Sequence, residues 1–138
     1  MTLVQKVFSA FAVLALVACA TTTAGKRINV TLSGAEEVPP VSTAARGSGS
    51  FTIGADGAVS GSVTTTGVQG TMAHIHQAAR GQNGPVIVPL TKSGDTYTAP
   101  AGAKLTDAQM AAFKAGNLYV NVHSEANKGG EVRGQLNP

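Results

Sequence analysis

Cysteine, tryptophan and charge are scarce in this chain of 138 residues. It has one cysteine and no tryptophan, and charged residues make up only 12% of it. A single cysteine cannot form a disulfide within the chain, so apolar packing or a bound metal must hold the fold together. Ten basic and seven acidic residues give a net charge of +3, and no Lys/Arg cluster is interleaved with aromatic residues. This pattern argues against binding of nucleic acid.

The N-terminus has the pattern of a secretory signal rather than of a folded element. Lys6 precedes an apolar run over residues 7–16 that is too short to span a bilayer. Residues 16–19, Leu-Val-Ala-Cys, resemble a bacterial lipobox, in which Cys19 is lipidated and becomes the mature N-terminus. We therefore expect a lipoprotein signal peptide over residues 1–18, a lipidated Cys19 with a tether over residues 19–26, and one domain over residues 27–138.

The residues around Cys19 also predict a location in the bacterial cell envelope. Because Ala20 rather than an aspartate follows Cys19, the lipoprotein resemblance implies anchoring in the outer membrane, facing the periplasm. Several acyl chains would make this anchoring stable. The alternative is cleavage after Ala20 by an ordinary signal peptidase, because residues 18–20 also fit a small-x-small site. That cleavage would give a secreted or soluble periplasmic protein.

Alternation of apolar and polar residues predicts an all-β domain. Two-residue periods occur near residues 28–33, 47–53, 58–66, 72–77, 86–91, 96–99, 118–123 and 131–136. Thr106 and Gln109 form a capping-box pattern that Gly116 closes, which predicts one short helix over residues 106–115. About eight short strands with no βαβ rhythm predict a Greek-key-like antiparallel β-sandwich.

The C-terminal segment predicts a β-hairpin of half-buried strands. Leu118, Val120 and Val122 alternate with Tyr119, Asn121 and His123, and the alternation returns between Glu131 and Leu136 after a Gly-rich turn. The polar face of the predicted hairpin carries His123, Glu131 and Arg133. The residues expected in the core are Ile75, Val120, Val122, Val132 and Leu136.

All three histidines fall on predicted strands. His74 and His76 are two residues apart and point the same way, so they could reach one ion together with His123 from a neighbouring strand. Three imidazoles suit copper or zinc and argue against calcium or magnesium, which prefer oxygen ligands. Met72 shares the parity of His74, and its soft thioether favours copper. Glu131 is a candidate ligand or a hydrogen-bond acceptor for an imidazole N–H.

Several motifs make the chain similar to a known family. AHIH at residues 73–76, the GQNGPVIVPL that follows, NLYVNVHS, GGEVRGQL and an early AEEVPP together resemble the CHRD domain, named after chordin, over roughly residues 27–136. The resemblance implies a β-sandwich, and bacterial versions are commonly secreted or lipid-anchored. The pairing of His-x-His with a later Asn-Val-His is also similar to the copper–zinc superoxide dismutase sandwich. The remaining metal ligands and the disulfide of that enzyme have no counterpart here.

Three functions fit these patterns. The first is a lipid-anchored protein that binds copper, or alternatively zinc, through the three histidines for handling, storage or sensing. The second is a metal-free adhesion or interaction domain, with partner contacts in AEEVPP and in the loop over residues 80–85. A copper redox enzyme is the third, although no nucleophile–base arrangement supports catalysis and no catalytic residue is assigned.

Three further polar residues are expected to support the site or an interaction surface: Asn121, Arg133 and Glu37. In the metal-free alternative, Glu131 and Arg133 would instead belong to a surface charge network with Glu36 or Glu37.

Overall fold

The computed structural model describes residues 24–138. The predicted signal peptide, Cys19 and the tether up to residue 23 lie outside the described residues. Residues 24–138 contain nine β-strands, one α-helix and a 3-10 turn at Gly34–Glu36. None of the helices described is long and apolar enough to cross a membrane. The prediction of an all-β domain with one short helix is confirmed.

The strands are short, and all neighbouring pairs are antiparallel. They are β1 (Lys26–Ser33), β2 (Arg46–Ile53), β3 (Val59–Thr66), β4 (Gly70–Gln77), β5 (Val86–Pro89), β6 (Thr91–Ser93), β7 (Thr96–Thr98), β8 (Leu118–Ser124) and β9 (Val132–Leu136), with the helix α1 (Asp107–Lys114) before β8. Their order in the sheet is β5-β4-β8-β9-β1-β2-β3-β7-β6. This order places β4 and β8, the two strands that carry histidines, side by side.

The sheet curves until its two ends nearly meet. The Leu90 N–H, in the link between β5 and β6, donates to the Ala73 carbonyl on β4 (3.0 Å). Gly70 on β4 lies against Tyr97 on β7, where a β-carbon would overlap the Tyr97 hydroxyl. The result is a sandwich-like fold with one hydrophobic core.

The segment predicted as one strand over residues 86–91 is two strands. β5 ends at Pro89 and pairs with β4, whereas β6 begins at Thr91 and pairs with β7 at the far end of the sheet. Proline has no N–H with which to continue a ladder, so the chain changes partners after Pro89. This change of partners gives nine strands in place of about eight.

The core and the helix follow the sequence pattern. All five predicted core residues, Ile75, Val120, Val122, Val132 and Leu136, are 0% exposed. At the start of α1 the Gln109 N–H donates to Thr106 Oγ1 (3.2 Å) and the Thr106 N–H donates to the Gln109 side chain (2.9 Å), which is the capping box. Phe113 of the helix is part of the core.

The hairpin strands are buried on both faces, so the prediction of half-buried strands is wrong. Every residue of β8 and β9 is buried, including the polar ones.

Two loops, over residues 34–41 and 78–85, cover the polar face. Arg133 and Gln135 donate to the carbonyls of Ala79 (3.3 Å) and Ala78 (2.9 Å) in the 78–85 loop. Asn83 in that loop donates in turn to the Val38 carbonyl (2.7 Å) of the 34–41 loop. A two-residue period cannot show that distant loops cover the second face.

Candidate metal site

Pairing of β4 with β8 brings the three histidines together. Met72 lies opposite His123 in the register, and His74 lies opposite Asn121. Because His74 and His76 are two residues apart on β4, both side chains lie on the face that carries His123. The imidazoles therefore share one side of the sheet, beneath the covering loops.

The three rings are close enough to hold one ion. One ring nitrogen of each histidine lies within 4.8 Å of those of the other two. The tightest approach is between His74 Nδ1 and His123 Nε2, at 3.0 Å. Nitrogens that share a metal at about 2.0–2.1 Å in tetrahedral or trigonal geometry are roughly 3.3–3.6 Å apart. Small side-chain rotations would therefore bring all three to a common point.

Backbone carbonyls fix which nitrogen of two rings is free. His76 Nδ1 lies 2.9 Å from the Gly84 carbonyl, and His123 Nδ1 lies 2.8 Å from the Lys128 carbonyl. A carbonyl only accepts, so Nδ1 carries the proton and Nε2 keeps its lone pair in both rings. Metal-binding histidines commonly have their second nitrogen held in this way, which orients the ring and raises its basicity.

Burial keeps His74 and His76 in the neutral form that binds metal. Burial lowers the pKa of His74 to about 4, and repulsion from His123 and His76 contributes. Burial also lowers the pKa of His76, although the hydrogen bond to the Gly84 carbonyl opposes the shift. Both imidazoles are therefore unprotonated at neutral pH, as metal ligation requires.

The ring of Tyr119 stacks on the ring of His76. The His76 and Tyr119 rings are nearly parallel, with a 3° interplanar angle and centroids 4.7 Å apart. The Arg133 guanidinium carbon lies 3.4 Å from the centroid of the Tyr119 ring, a cation–π contact. The Tyr119 hydroxyl accepts from the Gly84 N–H (3.3 Å). Sequence reasoning missed the role of Tyr119, and the available signal was its parity with Asn121 and His123 on β8.

The three expected supporting residues are buried beside the histidines. Arg133, Asn121 and Glu37 are 1%, 2% and 4% exposed. Burial raises the pKa of Glu37 to about 7, although the Asn121 amide and the Arg133 charge hold it down. Burial also lowers the pKa of Arg133. The alternative that places Arg133 in a surface charge network is therefore wrong, because the covering loops enclose it, and Glu36 pairs with Arg80.

Met72 and Glu131 lie at the edges of this arrangement. Met72 is opposite His123 but is 51% exposed. The Glu131 carboxylate accepts a hydrogen bond from the Thr43 hydroxyl (2.9 Å) and lines a separate cleft of about 720 Å³ with Asp95 and Glu125. Within residues 24–138 the group placed to hold an ion consists of the three histidines without Glu131. Ligation by Met72 or Glu131 stays a prediction.

Fold and site together define a class: an all-β, sandwich-like domain with a three-histidine group that could hold a metal ion. Comparison with protein families matches residues 28–136 to the CHRD domain. The chain belongs to the CHRD domain family, and the match extends from β1 to the last residue of β9. Comparisons with curated proteins and with solved structures gave no significant match.

Proposed function

We propose that this protein is a lipid-anchored protein of the bacterial envelope that binds one copper ion through His74, His76 and His123. One observation carries the proposal. Two of the three rings have their Nδ1 atoms held by backbone carbonyls, so their Nε2 lone pairs are available in the group formed with His74. A set of imidazoles oriented in this way is suited to metal binding. The role is copper handling, storage or sensing.

The donor set favours copper over zinc. Among divalent first-row ions, copper binds a given nitrogen site most tightly. The Met72 thioether lies on the same face, opposite His123, and soft sulfur donors favour copper in its reduced form. Zinc is the alternative, because three histidines with one open position also suit it.

The lipid anchor is the part of the proposal that concerns residues outside 24–138. Only Ala20 and three threonines lie between Cys19 and Ala24, and an extended chain spans at most about 3.5 Å per residue. A lipidated Cys19 would therefore hold the domain within roughly 20 Å of the membrane surface. We place it on the periplasmic side of the outer membrane.

Metal content tests the copper proposal. The protein is purified without a His tag from cells grown with both copper and zinc. We expect about one copper per chain in the wild type and little in His74→Ala or His123→Ala. Lys92→Ala, an exposed residue on β6, is the matched control and should keep its copper. One zinc per chain would favour the alternative metal, and no metal at all would contradict the proposal.

A metal-free interaction domain is the second candidate, and one observation favours it. The Glu36–Arg80 ion pair and the Asn83–Val38 hydrogen bond join the 34–41 and 78–85 loops into one surface. Preformed loop surfaces commonly carry partner contacts. This candidate predicts that Arg80→Glu abolishes chemical crosslinking to a partner in the envelope, whereas His123→Ala does not.

A further inference from the structure

Three buried atoms beside the histidines have no hydrogen-bond partner within residues 24–138. They are His76 Nε2, Asn121 Oδ1 and Glu37 Oε1. All three can act as acceptors: the proton of His76 is on Nδ1, the Asn121 amide nitrogen donates to the Gly129 carbonyl (3.3 Å), and the Glu37 carboxyl is ionised above its pKa of about 7. Buried acceptors are normally satisfied, so three together indicate a missing cation or donor.

The three atoms belong to one neighbourhood. Asn121 lies opposite His74 on β4 and opposite Arg133 on β9, so it lies between these two residues on one face of the sheet. A β-carbon on Gly130 would overlap both the Glu37 carboxylate and the Asn121 amide. Gly130 also has a φ of +129°, a conformation that favours glycine. Glycine at this position therefore lets the carboxylate of Glu37 reach the amide of Asn121.

We propose that the metal site keeps one coordination position for a neutral protic ligand, which is water at rest, held by Asn121 Oδ1 and Glu37 Oε1. This inference rests on the proposed function, because the metal is the ion bound by the three histidines. The ion takes the lone pair of His76 Nε2, and the two O–H groups of one water satisfy the other two acceptors. Three-histidine sites commonly leave such a position open.

The lining of this position determines which ligands it takes. Above the Glu37 pKa of about 7, Asn121 and Glu37 present only acceptor oxygens to it, so a small anion would meet lone pairs and a negative charge. The cation whose charge acts on Glu37 is Arg133, and its guanidinium is already engaged by Asn83 (3.3 Å), Ala79 (3.3 Å) and the Tyr119 ring. The site therefore selects neutral O–H ligands over anions.

The experiment uses full-length, copper(II)-loaded protein with two probes. Pulsed electron paramagnetic resonance in H₂O and in D₂O detects exchangeable protons on a copper-bound water, which couple to the copper more strongly than the more distant Nδ1–H protons of His76 and His123. Azide titration at a pH above the Glu37 pKa of about 7 measures the affinity for a small anion. Glu37→Gln is the test variant, because its amide removes the negative charge and supplies an N–H donor. Glu36→Gln is the matched control, because Glu36 is adjacent in sequence but pairs with Arg80.

We expect an exchangeable-proton signal in the wild type and weak azide binding. Glu37→Gln should bind azide roughly tenfold more tightly, the scale of one like charge removed from a partly buried site, while Glu36→Gln matches the wild type. Equal azide affinity in all three proteins, or a wild-type spectrum without strongly coupled exchangeable protons, would overturn the inference. The proton measurement needs no variant, so it decides the matter even if Glu37→Gln does not fold. A wild type that takes up no copper would instead refute the proposed function.

Discussion

His74 Nδ1 and His123 Nε2 lie 3.0 Å apart, although 49 residues separate the two histidines in sequence. Because the Lys128 carbonyl holds the proton of His123 on Nδ1, His123 Nε2 is the acceptor and His74 Nδ1–H is the donor. One proton thus lies between two rings on neighbouring strands. An ion bound by both rings would take the place of that proton, so folding alone brings two ligands to near-binding distance.

Copper affinity should persist to lower pH than an ordinary histidine site allows. An unperturbed imidazole has a pKa near 6.5, so affinity would begin to fall just below neutral pH. The pKa of His74 is about 4 and that of His76 is also lowered, so both nitrogens stay unprotonated below pH 6.5. In competition assays we expect a shallower loss of affinity between pH 6.5 and 5 than three ordinary imidazoles would give, and a steeper loss approaching pH 4. A loss between pH 6.5 and 5 as steep as that of three ordinary imidazoles would contradict this account.

The stability of the metal-free protein between pH 4.5 and 6.5 should depend on groups with opposite effects, Glu37 against His74 and His76. The folded-state pKa of His74 lies below 6.5, so its contribution is present above pH 6.5 and is lost as the pH falls towards 4. The folded-state pKa of Glu37 is about 7, above its usual 4.5, so its contribution is present below pH 4.5 and is lost as the pH rises towards 7.

Single variants separate the pH dependence of stability due to the carboxyl from that due to the histidines. In urea unfolding, Glu37→Gln should become more stable as the pH rises from 4.5 to 6.5, because only the histidine contributions remain. His74→Gln should gain less stability over the same range, because the carboxyl contribution remains and only the lowered pKa of His76 opposes it. Parallel pH profiles for the two variants would show that neither group titrates as described.

Val122→Ala should lower the free energy of unfolding by roughly 1–3 kcal/mol, because it removes two methyl groups from the core and leaves a cavity. Val122 is 0% exposed. The matched control is Val86→Ala on β5, where the side chain is 47% exposed and the change should be within about 0.5 kcal/mol. Equal effects in urea unfolding would mean that the assigned core face is incorrect.

Cys19→Ser should release the protein from the membrane. The single cysteine follows a short apolar run, and lipidation at that position is the expected anchor. Fractionation should find the wild type in the outer membrane and the variant in a soluble or unprocessed form. A soluble wild-type protein that begins at Thr21 would instead indicate cleavage after Ala20.

The sequence alone was enough to predict the features that depend on local residue patterns. The alternation around Val120 and Val122 determines the strands and their inward face, and Thr106 with Gln109 determines the start of α1. It also predicted that His74, His76 and His123 would lie on one face. The division of β5 from β6 was missed, because the partner of each strand depends on where distant strands lie.

The burial of polar residues beside the site could not be predicted from the sequence. Arg133 and Glu37 are nearly as buried as the core, yet a polar residue on alternate positions ordinarily predicts solvent. Their burial depends on loops that are distant in the chain, as does the contact between Tyr119 and the Gly84 N–H. No period or propensity in the sequence contains that information.

Calorimetric titration of untagged protein with copper(II) tests the central claim most directly. We predict a stoichiometry of one ion per chain. Each of His74→Ala, His76→Ala and His123→Ala should weaken binding by more than about 100-fold, whereas Glu131→Gln should change it by less than about tenfold, the lower end of the range for residues outside the ligand set. A wild type that binds no copper, or histidine variants that bind as tightly as Glu131→Gln, would contradict the three-histidine site.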